Sequence, residues 1–222
     1  MAFLQWLWNL AHGLVDLLLH LDKHLDAAIA EYGTWTYGLL FLIVFLETGL
    51  VVTPILPGDS LLFAAGAFAA RGSLELPWLL GLLFIAAVLG DAVNYSIGHF
   101  LGPKVLTGRY RFLKPEYLAK TQQFYDRYGG KTIIIARFVP IVRTFAPFMA
   151  GVGSMSYWKF GAYNVLGALL WVFACTVAGY LFGNIAVVKD NFTLVVLGIV
   201  FVSILPAVFE YLRSRREPVG AD

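Results

Sequence analysis

Charge and cysteine are the two scarcities of this 222-residue sequence. Only 14% of its residues are charged, where soluble domains carry about 25%. Cys175 is the single cysteine, which excludes an internal disulfide and a cysteine zinc cluster. Surplus positive charge is missing too. Sixteen Lys and Arg stand against fourteen Asp and Glu, a net charge of +2, far from the basic stripe that nucleic-acid binding needs. No basic residue precedes Lys23, so a cleavable secretory signal, with positive charge ahead of its apolar stretch, is not expected.

Hydrophobic residues make up 59% of the chain, and the mean hydropathy is +0.76. One soluble domain of this length has no core large enough to hide that much apolar surface. The fold class expected is therefore an all-α polytopic membrane protein.

Residues 6–31 form an amphipathic pattern. Asn9, His12, Asp16, His20 and Lys23 share one side and leucines at spacings of three and four the other, which suits a helix lying in the interface. His12, Asp16, His20 and His24 fall on one row at metal-site spacing, yet a solvated face is the plainer explanation, and no metal site is expected. Residues 38–56 are an apolar run with Glu47 as its one ionisable group, interrupted by Pro54, Pro57, Gly58 and Asp59. The stretch that resumes over residues 61–70 rises only about 15 Å, half a hydrocarbon core, as a re-entrant segment would. Residues 76–101 can span, with Asp91 inside and Tyr95 one turn on.

Residues 103–131 are polar and carry seven positive charges against two negative, which marks a cytoplasmic loop. Gly130-Lys131-Thr132 resembles the end of a phosphate-binding loop, but Tyr125 occupies the position of its first glycine, and the match is discarded. Residues 132–156 are apolar, broken by Pro140 and Pro147, and hold Arg137 and Arg143. Residues 160–188 and 191–209 span, and Arg213, Arg215 and Arg216 place the C-terminus in the cytoplasm. This count closes only if both interrupted segments are re-entrant. Five tryptophans lie near segment ends as interfacial anchors, whereas Trp171 sits within a span.

A weak internal repeat supports two opposed halves. Ala65-Gly66 leads to a helix ending Gly98-His99-Phe100-Leu101-Gly102, and Ala150-Gly151 leads to one ending Gly179-Tyr180-Leu181-Phe182-Gly183. Paired broken segments in two inverted halves are the mark of a transporter whose site lies where they meet.

Glu47, Asp59, Asp91, Arg137 and Arg143 are the charges left in or beside apolar segments. Unpaired at a bilayer centre, five would cost roughly 12 to 17 kcal/mol, so they must pair, bind protons or face water. The irregular backbone at Pro54, Pro57 and Gly58, and at Pro140 and Pro147, likewise survives only where it lines a cavity or is packed in protein. One polar cavity between the broken segments answers both requirements. Arg137 and Arg143 can converge on one phosphate with planar, permanently charged forks. Glu47 and Asp59, close together in a poorly hydrated site, suit groups that take up and release protons. Ion pairs that only fix helix positions remain the alternative, although two charges of each sign beside four prolines exceed what a pin requires. For Asp91 and Tyr95, a packing hydrogen bond and a proton relay are equally open. No nucleophile with a base stands in the broken segments, so an enzyme is not expected.

Four runs carry a resemblance: FLETGLVVTPILPGD, GDAVNYSIGHFLG, GGKTIIIARFVPIVRTFAPFMAGVGSM and YNVLGALLW. They closely resemble the bacterial DedA family, within the VTT-domain superfamily, over nearly the whole chain. The resemblance implies an inner-membrane protein with two opposed re-entrant hairpins, related to eukaryotic lipid scramblases. It implies movement of lipid phosphates, notably undecaprenyl phosphate, in dependence on the proton gradient, with Glu47 and Asp59 as the acidic pair and Arg137 and Arg143 as the basic pair. The expected organisation is an N-terminal helix over 1–32, one transmembrane domain over 33–212 and a tail over 213–222. Its repeat halves cover about 38–102 and 131–183, joined by the basic loop 103–131. The expected partners are membrane lipids, the lipid phosphate and protons, without a cofactor. A general phospholipid scramblase and a proton or small-ion exchanger are the rival functions.

Overall fold

The computed structural model describes residues 27, 31–50, 58–106, 121–122, 125–153, 155–192, 194–195, 197–199 and 201, and among them helices and turns but no strand. In chain order the helices are α1 (Trp35–Gly49), α2 (Gly58–Ala70), α3 (Leu76–Leu106), α4 (Thr132–Ala136), α5 (Pro140–Val152), α6 (Tyr157–Phe182) and α7 (Ala186–Asp190), with a 3-10 turn over Gly129–Lys131. Pro54, Pro57, nearly all of the N-terminal helix, most of the basic loop and the C-terminal tail lie outside the described residues.

Two helices are long and apolar enough to cross a bilayer: Leu76–Leu101 within α3, and Tyr157–Phe182, which is α6. Each has 26 residues, about 39 Å of helix against a hydrocarbon core of about 30 Å. Only a third of each is buried within the protein. Ile85, Leu89 and Val93 on α3, and Leu166, Leu170 and Phe173 on α6, are exposed at helical spacing. A continuous apolar stripe of this kind suits lipid and not water. Trp35, Trp78 and Trp158 open their helices exposed, whereas Trp171 is buried in the middle of α6.

Two of the short helices, α2 and α5, occupy the interior. Every residue from Ser60 to Ala69 in α2 is buried, and at 13 residues the helix rises only about 20 Å. Its small side chains admit close neighbours. α2 packs along α6, and α5 packs along α3, so each of these short helices lies against a long helix distant from it in sequence. Glycines make both crossings possible. A methyl group on Gly66 would strike the Thr176 carbonyl, and one on Gly179 the Phe63 carbonyl. At the second crossing, Gly98 and Gly151 stand in the same relation to the Phe148 and Tyr95 carbonyls. Gly66, Gly98, Gly151 and Gly179 are thus points where backbones touch.

The breaks differ in detail from the sequence expectation. α1 stops at Gly49 and Leu50 is extended, several residues before Pro54, where Gly49 lies against the backbone of Gly90. In the second broken segment the interruption precedes Pro140. Val139 is extended, as the ring of a following proline demands, and Pro140 opens α5. Pro147 does not break the segment; it is buried inside α5, which continues through it. Burial within a helical bundle lets neighbours compensate for the donor that a proline lacks. α6 ends at Phe182 and not at 188, and the Asn184 side chain then donates to the Ala70 carbonyl at 2.8 Å. The expected span over 191–209 is described only in part.

Candidate functional site

The five charges come together between the broken segments as two clusters. Glu47 is in the last turn of α1 and Asp59 in the first turn of α2. Asp91 lies near the middle of the span in α3. Arg137 occupies the break between α4 and α5, and Arg143 the first turn of α5.

The Arg137 cluster is closed. Arg137 Nη2 lies 2.5 Å from Asp91 Oδ2 and 2.7 Å from Asn164 Oδ1. It also donates to the Ala87 carbonyl at 3.4 Å. Asn164 in turn donates through Nδ2 to the Val88 carbonyl at 3.0 Å. Both charged side chains are 6% exposed, and one positive and one negative charge sum to zero. This pair ties the break to α3 and α6.

The Arg143 cluster is more open. Arg143 Nη1 is 3.0 Å from Asp59 Oδ1, and Nη2 pairs with Glu47 Oε1. Gly58 donates its backbone N–H to the same Glu47 oxygen at 3.2 Å, so the N-terminus of α2 faces a carboxylate, the favourable polarity. A methyl group at Gly58 would overlap the Glu47 carboxylate and displace it. Trp171 Nε1 donates to Asp59 Oδ1 at 2.7 Å. The Arg143 and Asp59 side chains are 18% and 24% exposed. One positive and two negative charges leave this cluster at −1. Glu47 and Asp59 are thus not a bare acidic pair, since a guanidinium contacts both.

Trp171 joins the clusters. The guanidinium carbons of Arg137 and Arg143 lie 5.7 and 5.5 Å from its ring centroid, within cation–π range. A cavity of about 20 Å³ remains, lined by Glu47, Thr48, Asp91, Arg137, Arg143, Thr144 and Trp171. That is room on the scale of one water and not of a phosphate. Asp91 and Tyr95, one turn apart, do not share a partner: the Tyr95 hydroxyl donates to the Met155 carbonyl. Among the described residues no group of three or more His, Cys, Asp or Glu could hold a metal ion.

Asn164 and Trp171 are members that the charge count passed over. Both had a signal, since an amide within an uncharged span needs a partner and a tryptophan far from the interface is out of its usual place.

These features define a helical membrane protein with an ionic centre enclosed by interrupted helices, and the VTT domain family matches residues 56–181, more than half of the chain. The chain is 56% identical over 216 residues to Protein DedA of Escherichia coli (strain K12), covering 96% of this chain and 99% of that protein. An uncharacterized membrane protein of Mycobacterium leprae (strain TN) is 43% identical over 166 residues, 74% of each chain. Inner membrane protein YqjA of Escherichia coli (strain K12) is 36% identical over 149 residues, 67% of this chain and 68% of that one. The chain belongs to the DedA family of VTT-domain membrane proteins. No solved structure matches it. The matched domain encloses Asp59, Asp91, Arg137, Arg143, Asn164 and Trp171 and leaves Glu47 just outside.

Proposed function

We propose that this protein moves an anionic lipid phosphate between the leaflets of the bacterial inner membrane, coupled to protons, as a carrier and not an enzyme. Undecaprenyl phosphate is the first substrate to test. The two broken segments act as opposed re-entrant hairpins, and the basic loop and C-terminus face the cytoplasm.

One observation carries this proposal: Arg143 is held by two carboxylates, both on other segments, in the more open cluster. With Glu47 and Asp59 ionised, the cluster at −1 repels a phosphate. Two protons take it to +1, free the guanidinium fork and convert the same groups into an anion site. Loading therefore follows protonation, and the carboxylates must withdraw to enlarge the cavity. Arg137, already neutralised by Asp91, holds the break in place behind this site. The size of the cavity favours the second reading, a proton or small-ion exchanger, because a single water fits without rearrangement.

Reconstitution into vesicles with a leaflet-accessibility assay on lipid phosphates at two pH values separates the two. The carrier reading expects lipid movement that depends on pH, a loss of at least tenfold in Arg143→Lys, and a shallower pH dependence in Glu47→Gln, which leaves Asp59 as the one titrating carboxylate. No lipid movement by the unmodified protein at either pH overturns it in favour of ion exchange. Normal transport by Arg143→Lys removes the forked-arginine step.

A further inference from the structure

Asn94 lies three residues after Asp91 on α3 and is completely buried. Its Nδ2 donates to two backbone carbonyls, Thr48 at 3.1 Å and Thr144 at 3.0 Å. These are the residues that directly follow Glu47 and Arg143. Both N–H groups of the amide are used, so one side chain holds the backbone beside the acid and the backbone beside the arginine.

Local chemistry explains why these carbonyls are available. Thr48 is in the last turn of α1, where carbonyls outnumber helical donors. Thr144 is in α5, where a carbonyl keeps a second lone pair after its helical bond. The Asn94 Oδ1 is buried without a hydrogen-bond partner, an arrangement that costs free energy. Helix packing by itself does not call for it. α3 meets α1 through Gly49 and Gly90, where the Thr48 hydroxyl also sits, and meets α5 through Gly98 and Gly151, and neither contact involves the Asn94 amide.

We propose that Asn94 is a positioning residue that ties the two broken segments across α3 and sets the reach of Arg143 to Glu47. On the carrier reading proposed above, on which this step rests, admitting a phosphate between them separates α1 from α5 and breaks one of the two Asn94 bonds. Asn94 is then the latch whose opening accompanies loading.

The test uses the full chain in vesicles with Cys175→Ser and spin labels at Leu46→Cys on α1 and Gly153→Cys after α5. Asn94→Leu is expected to double the width of the α1–α5 distance distribution and to shift the pH midpoint of lipid movement by a unit or more. An unchanged distribution with an unchanged midpoint overturns the proposal. If Asn94→Leu is recovered unfolded, Asn94→Gln keeps both donors on a longer stem: a shifted mean distance supports the tie, and an unshifted one overturns it. The distance measurement needs no transport, so a parent protein that moves no lipid overturns the carrier reading while the label distances still decide the tie.

Discussion

Arg137 and Arg143 stand six residues apart on one broken segment and have opposite surroundings. Arg137 is matched by one carboxylate and one amide, all buried, on two helices that span. Arg143 is shared between two carboxylates, at the end of α1 and the start of α2, and keeps some exposure. A buried pair is poor at responding to anything, because releasing either partner leaves a charge in a low-dielectric interior. A shared, partly exposed arginine can exchange one anion for another at lower cost. The two clusters thus divide into a pin and a site, and the same residue type serves both.

The division can be broken by stability measurements in detergent, in order of expected loss. Arg137→Leu strands Asp91 without its cation and is expected to cost about 3 to 5 kcal/mol, read as a large fall in thermal midpoint or in the yield of folded protein. A melt close to the parent's would show that the Arg137 pair is not a pin. Trp171→Phe keeps a ring beneath both guanidinium groups but removes the donor to Asp59. The expected cost is about 1 to 2 kcal/mol, with transport more sensitive than folding. Arg143→Lys keeps the charge, loses the fork, and is expected to change stability by less than about 1 kcal/mol. A loss as large as that of Arg137→Leu would erase the contrast between the clusters.

The members of the site were legible wherever the signal was local. Glu47, Asp59, Asp91, Arg137 and Arg143 stand out because each is ionisable within apolar sequence, and the penalty for that is set by neighbours along the chain. Their pairing was not legible. Asp91 and Arg137 are 46 residues apart and Asp59 and Arg143 are 84 apart, and either arginine could have served either acid. Asn94 was hidden for the same reason, since its worth lies in two carbonyls 46 and 50 positions away. Pro147 looked like a break because an isolated helix cannot absorb it, whereas a helix buried against α3 can.

The sequence by itself determined the membrane class, the two long spans, the neighbourhood of both interruptions and the short list of charges at stake. All of these follow from composition and period over a few turns. Only the tertiary structure decided which acid meets which arginine, which of the two arginines keeps some exposure, and that α2 lies against α6 and α5 against α3. Those outcomes depend on how closely backbones approach at Gly66, Gly98, Gly151 and Gly179, and a distance between helices is a property of the packed whole.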